Sequence, residues 1–431
     1  MSKRNKANLK IPNWLKLDNA ALIYPSTLSK KYASMFRLTI TLNEIVDEKI
    51  LNEALLNVIN RFPSFCYELK KGLFWFYMKK NKLNPIIEED YNNPMLRINF
   101  KKYNNYMFRV RYYDKRIAVE FFHALTDGAG GLKFISTLVG EYIKIKYKER
   151  INYNDIVFNP NVKASRREYS DDFYKYARID SNLEYEKFAY HYKGTLENGS
   201  KLNVITGIIP LENLKNMSKK YNCTLTCLIT SLLIWSLQKI YYSDKRKYKK
   251  KNIKVSIPVN LRNYYNSKTV RNFSSYINIG IYTGYGHYSL EEIINIVKNN
   301  MELNLTEKKL NAKFSANVKL SKNFAIRIMP MFIKKHMLSL SEKMLGDNYC
   351  TTTLSNLGLI TFPKVLEKYI DEVGFAIGKS RGKPGSVSCI GYKDNLYITF
   401  TRKIKESEFE RLFFTELINN NIPVLIESNR R

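Results

Sequence analysis

The sequence predicts an α/β protein of two lobes, each a mixed sheet with helices. Segments with a strand period of two and segments with a helix period near ~3.6 interleave in both halves of the 431 residues. A polar, Tyr-rich stretch over 150–195 separates those halves, has few periodic apolar positions, and reads as a connection. No Gly-rich phosphate loop follows a predicted strand, so there is no dinucleotide fingerprint. Hydrophobic residues form 45% of the chain and aromatics 13%, a globular rather than a disordered composition. The expected division is a first lobe over 1–160, a connecting segment over 161–200 and a second lobe over 201–431.

Taken in order, Met35-Phe-Arg-Leu-Thr-Ile-Thr-Leu42 reads as a strand. Asp47 is placed to cap a helix whose apolar stripe is Ile50, Leu51, Ala54, Leu55, Val58 and Ile59, ended by Pro63. Phe74–Met78 and Met95–Phe100 read as strands. A hairpin then runs from Met107–Tyr113 through a turn at Asp114-Lys115 into Arg116–Phe122. A helix over 132–148 closes the first half. In the second half a strand Leu202–Ile209 precedes a short helix marked by Leu211, Leu214, Met217 and Tyr221. Thr224–Ile240 is a helix apolar nearly all round, hence buried. Ile253–Ile257 and Tyr276–Tyr282 read as strands, and Ser289-Leu-Glu-Glu292 as a capping box for a helix to about Met301. Residues 313–346 read as helical. Tyr349–Leu354 reads as a strand ending in Ser355-Asn-Leu-Gly358. Leu396, Ile398 and Phe400 mark a late strand, and Phe409, Leu412, Phe413 and Leu417 a final helix.

Composition excludes several classes. No run reaches the ~18 to 20 apolar residues of a membrane span, and the N-terminal Met1-Ser-Lys-Arg-Asn-Lys has no apolar stretch after it. A cytoplasmic location is the expectation. Five scattered cysteines argue for reduced, mostly buried thiols rather than a disulfide framework, and four spaced histidines assemble no zinc set, so no metal is expected. The net charge of +32 suits an anionic partner, yet the positive residues are spread along the chain. The dense run over 244–251 reads as a solvated loop between a helix and a strand. No nucleic-acid-binding motif accompanies the charge, and nucleic acid is not expected as a partner.

The stretch that carries chemistry is Glu120-Phe-Phe-His-Ala-Leu-Thr-Asp-Gly-Ala-Gly-Gly131. His123 continues the parity of Ile117, Val119 and Phe121, so it points to the apolar side of its strand. Gly128, Gly130 and Gly131 let the backbone turn and approach another surface. An imidazole at an apolar strand end, followed by an Asp-Gly turn, suits a general base that is neutral at pH 7.

His123-x-x-x-Asp127-Gly128, with a strand before it and a helix after, resembles the active-site signature of the chloramphenicol acetyltransferase-like superfamily. That group holds CoA-dependent acyltransferases, alcohol acetyltransferases and condensation domains of nonribosomal peptide synthetases. Pro258-Val-Asn-Leu-Arg262 resembles its Pro-Val-Asp-Leu-Arg element, and Ser355-Asn-Leu-Gly358 its strand at the catalytic tunnel. The likeness covers most of the chain and is greatest to stand-alone bacterial alcohol acetyltransferase-like proteins. It implies an active-site tunnel between lobes and transfer of an acyl group from acyl-CoA to a hydroxyl or amine of a small acceptor. The co-substrate is then acyl-CoA, with no bound cofactor and no covalent enzyme intermediate, in a monomer. His123 would be the general base. Asp127 would hold the loop through an arginine, Arg61 by preference or Arg262. Gly128 would let backbone and acyl donor pass closely, Ser355 or Asn356 would donate to the oxyanion, and Asn272 would line the tunnel. The sequence departs from condensation domains at Phe122, where they usually carry a second histidine. The rival readings are a condensation-type enzyme fed by an acyl carrier protein, and a non-catalytic protein of this fold bound to anionic lipid or another polyanion.

Overall fold

A computed structural model describes residues 11–28, 33–91, 93–182, 186–198, 201–244, 251–341, 348–379 and 382–430. The dense basic run expected as a loop lies almost wholly outside the described residues, as do 342–346 of the expected helical stretch.

The first lobe is built on a five-stranded sheet in the order Ile370–Ile377, Met35–Leu42, Arg116–Phe122, Phe108–Tyr113, Ile87–Glu89. Its central hairpin turns at Asp114, which takes a left-handed backbone (φ 48°). Helices Glu48–Ile59 and Gly128–Tyr147 pack on each other and on this sheet. Asp47 caps the first through a bond from the Ile50 amide, and Leu51, Ala54, Leu55, Val58 and Ile59 are its buried face. Each large aliphatic side chain so buried contributes about 1.5–3 kcal/mol. A three-stranded sheet, Trp14–Lys16, Phe76–Lys80, Tyr67–Lys71, lies beside it.

The second lobe carries a seven-stranded mixed sheet in the order Ser274–Tyr282, Asn252–Asn260, Thr352–Ile360, Gly385–Tyr392, Asn395–Arg402, Asn203–Pro210, Leu425–Ser428. Thr352–Ile360 runs parallel to both neighbours. The helix Leu225–Ser243, capped by Thr224, is buried on most sides, against the helices Leu290–Asn304 and Glu408–Asn419. No single helix among the described residues is long and apolar enough to cross a membrane. All five cysteines are free.

Four expectations are corrected. Met95–Phe100 is not a strand: Met95 is left-handed (φ 56°) and its amide donates to the Glu120 carboxylate at 3.0 Å. The apolar alternation there records the burial of Met95 and Ile98 in irregular chain. Ser355-Asn-Leu-Gly358 does not end a strand but lies inside Thr352–Ile360, whose pairing with Gly385–Tyr392 shifts between Asn356 and Leu359. The stretch from 313 is three helices, Glu307–Lys322, Phe324–Ile328 and Met331–Ser341, broken at Asn323 and before Pro330. Finally, sheet membership does not follow the 201–431 boundary: Ile370–Ile377 leaves the second lobe and pairs antiparallel with Met35–Leu42. This crossing ties the lobes together beside the 120–131 stretch.

Candidate active site

His123 follows the strand Arg116–Phe122, and its amide donates to the Ser34 carbonyl at 2.9 Å. Its ring stacks on Tyr24 (4.7 Å between centroids, 16° between planes) and meets the edge of Phe36 at 5.2 Å. Burial in these surroundings pushes its pKa below the ordinary 6.5, against the opposing pull of the Asp127 carboxylate. The imidazole is therefore neutral at pH 7.

Asn272 decides which ring nitrogen carries the proton. The Asn272 amide nitrogen donates to the Asp18 carboxyl at 3.2 Å and to the His123 carbonyl at 3.1 Å. Both partners are acceptors, which assigns the amide orientation and leaves Oδ1 as an acceptor facing His123 Nδ1 at 3.3 Å. Nδ1 then bears the hydrogen and Nε2 keeps the lone pair. Asp18 is wholly buried; burial pushes its carboxyl pKa up, opposed by Arg271, whose Nε lies 3.5 Å from Oδ2.

Asp127 caps the helix Gly128–Tyr147 by accepting from the Gly130 amide at 3.0 Å, and it accepts from the Phe273 amide at 2.8 Å. Arg262 grips its two oxygens at 2.9 and 3.2 Å. Burial alone would raise the Asp127 pKa, but Arg262 and the two amides outweigh it and hold the carboxyl below its ordinary value. Arg262 also donates to the carbonyls of Thr269 and Arg271, so it locks the second-lobe segment 269–273 onto the histidine loop. The preferred partner, Arg61, is corrected. It sits just past the helix Glu48–Ile59, where the Glu168 carboxylate takes it at 2.5 Å and its guanidinium lies 4.4 Å from the Phe158 ring centroid. The arginine that reaches Asp127 comes from across the lobe boundary.

None of Gly128, Gly130 and Gly131 has a left-handed backbone. Close approach is what they provide. A Cβ on Gly130 would stand 2.1 Å from the Val270 carbonyl oxygen, and one on Gly128 would meet Leu357 at 2.8 Å.

Alternation along Thr352–Ile360 separates the two oxyanion candidates. Leu354 belongs to the second-lobe core, whereas Leu357 packs against the first. Ser355 lies on the side opposite Leu354, and Leu357, which meets Gly128, falls in the irregularity between Asn356 and Leu359. Asn356 shares the side of Leu354; its amide donates to Thr226 Oγ1 at 3.0 Å and its carbonyl accepts from the Gly358 amide at 2.8 Å. Asn356 is thus turned away from His123 and ties the strand irregularity to the helix Leu225–Ser243. Tyr24 stacks on one face of the imidazole and Leu357 lies against Gly128, while His123 itself stays partly exposed. Two cavities lie elsewhere, beside Lys144–Tyr153 and between Gly378–Ser386 and Thr401–Lys403.

Asp18, Tyr24 and Arg271 are site residues that sequence reasoning did not single out. Asp18 and Tyr24 lie in a segment without a motif, and only folding brings it over the histidine. Arg271 immediately precedes Asn272, and that adjacency was the one available signal.

The two lobes, the crossing strand and the histidine loop between them define the chloramphenicol acetyltransferase-like fold. Solved structures agree. F. graminearum TRI101, determined with coenzyme A and T-2 mycotoxin, is 9% identical with a TM-score of 0.65, covering 95% of this chain and 99% of its own. Polyketide synthase associated protein 5 from Mycobacterium tuberculosis is 11% identical with a TM-score of 0.61, covering 94% and 96%. TRI3 trichothecene 15-O-acetyltransferase from Fusarium sporotrichioides is 10% identical with a TM-score of 0.60, covering 94% of both chains. At the level of sequence, residues 207–390 match the family model described as alcohol acetyltransferase. No curated protein matches the chain.

Proposed function

We propose that this protein is an acyltransferase that moves an acyl group from acyl-CoA to a hydroxyl or amine acceptor, with His123 as general base. The observation that carries the reading is the hydrogen bond His123 Nδ1–H gives to Asn272 Oδ1, which leaves Nε2 unprotonated in a neutral ring. The family model over 207–390 and the likeness to a fold solved with coenzyme A support the class of donor.

In this reading Nε2 takes the proton of the acceptor O–H or N–H as that atom attacks the thioester carbonyl carbon. The C=O pair moves onto oxygen, and Ser355 is the side chain we assign to stabilise that oxyanion, a contribution of about 3 kcal/mol. Collapse breaks the C–S bond, and the thiolate leaves as CoA after recovering the proton from the imidazolium. Asp127 and Arg262 touch no reacting atom; they keep the loop in shape. A monomer acting without a nucleic-acid partner completes the proposal.

The test is CoA thiol release from a panel of acyl-CoAs with mixed alcohols and amines. Acceptor-dependent release names the donor class. Release seen only with acylated carrier protein would replace acyl-CoA by a carrier-bound donor, and silence with both donors from folded protein would overturn the reading.

A further inference from the structure

Among the described residues, the helices after Lys322 leave an apolar surface uncovered. In Phe324–Ile328 no residue is buried, and Phe324 and Ile328, one turn apart, are 73% and 52% exposed. The next helix, Met331–Ser341, is anchored on one face only. Met331 is buried with its amide bonded to the Leu73 carbonyl, and Lys334 is buried with its ammonium on the Phe74 and Arg327 carbonyls and over the Trp75 ring. The opposite face presents Phe332, at 66% exposure, with Ile333 and Met337 also exposed. Leu73 and Phe74, at the tip of the hairpin it rests on, are exposed too. An apolar surface of this extent on a polar chain marks an interaction site.

Charge says what covers it. Residues 319–341 contain five Lys or Arg and no Asp or Glu, in a chain of net charge +32; of these Lys334 is buried and Lys319 pairs with Asp180. Lys322 and Arg327 are exposed between the apolar side chains, and Lys71 is exposed at the hairpin. A second copy of this chain would set like charges against each other. We infer that this face docks on an anionic lipid bilayer, the aromatic and aliphatic side chains entering the headgroup boundary and the basic ones meeting lipid phosphates. The short helix Tyr24–Thr27, whose Tyr24 covers His123, packs beside Met331–Ser341. The membrane face therefore borders the histidine, although docking does not depend on any activity there.

Sedimentation of the full chain with phosphatidylcholine vesicles, with and without phosphatidylglycerol, tests this. Binding is expected to the phosphatidylglycerol vesicles and to weaken with salt. The double variant Phe324→Ser, Phe332→Ser should weaken it at least ~10-fold, and so should Lys322→Glu with Arg327→Glu. Thermal unfolding should not change, because these side chains are exposed. Tyr285→Ser, at another exposed aromatic, should bind as wild type does. No vesicle binding would overturn the inference. So would equal binding by the phenylalanine variant, which would reduce the effect to net charge, or a dimer dispersed by the same variants, which would make the partner a protein.

Discussion

Asn272, itself held by Asp18, orients a histidine that nothing in its own segment orients. With Asn272→Leu, Nδ1 loses its acceptor and the imidazole is free to take the other tautomer and to rotate. We expect kcat/KM to fall by about 10- to 100-fold with little change in affinity for the acyl donor, read from initial rates. His123 is held below pKa 6.5 by burial, so its basic form predominates at neutral pH. The kcat/KM of the wild type should accordingly be flat above pH 7 and fall on the acid side, with its midpoint below 6.5; a midpoint above 7 would contradict a buried base. Arg262→Ala leaves the buried Asp127 carboxylate unpaired and should cost about 3–5 kcal/mol in urea unfolding. Arg61→Ala, which removes the pair with Glu168 and the contact with Phe158, should leave the pH profile where it is.

Among the elements, the first-lobe sheet holds a buried charge cluster that the sequence hides. Glu120 is wholly buried and accepts from Arg37 at 2.8 Å and Arg109 at 2.7 Å; Arg37 also pairs with Asp90. Burial raises the Glu120 pKa, but Arg37 and Arg109 outweigh it and hold it down to about 2. A depressed carboxylate stabilises the fold above its unfolded value near ~4.3, and this contribution is lost as pH falls from there toward 2. Glu120→Gln should thus flatten acid unfolding and cost at least ~3 kcal/mol at pH 7, because it strands buried arginines. Where an element shows one face to a core, its sequence declared it: Glu48–Ile59, Leu290–Asn304 and the hairpin over 108–122 lie close to where their periodicities place them. Gly385–Tyr392 is buried on both faces, so it has no alternation to read, and Ile370–Ile377 gave no sign that its partner is Met35–Leu42. The site divides the same way. His123, Asp127 and Gly128 form a local pattern, whereas the Asp127 partner depends on which arginine crosses between lobes, and the preference for Arg61 over Arg262 had no local pattern behind it.

The whole molecule places its candidate site where two lobes are pinned together, by the crossing strand Ile370–Ile377 and by Arg262 on Asp127. Close packing at that seam has little slack: Gly130→Ala drives a methyl into the Val270 carbonyl and should cost about 1–3 kcal/mol in urea unfolding while it displaces the loop. The seam was legible only through resemblance, because contacts between chain segments so far apart leave no local pattern. The central claim is that His123 Nε2 removes the acceptor proton during acyl transfer. Its most direct test is acceptor-dependent thiol release from acyl-CoA at pH 7 by wild type and His123→Ala, both shown to be folded by their thermal transitions. The account predicts a loss of at least ~100-fold in kcat; equal rates in the two proteins would contradict it.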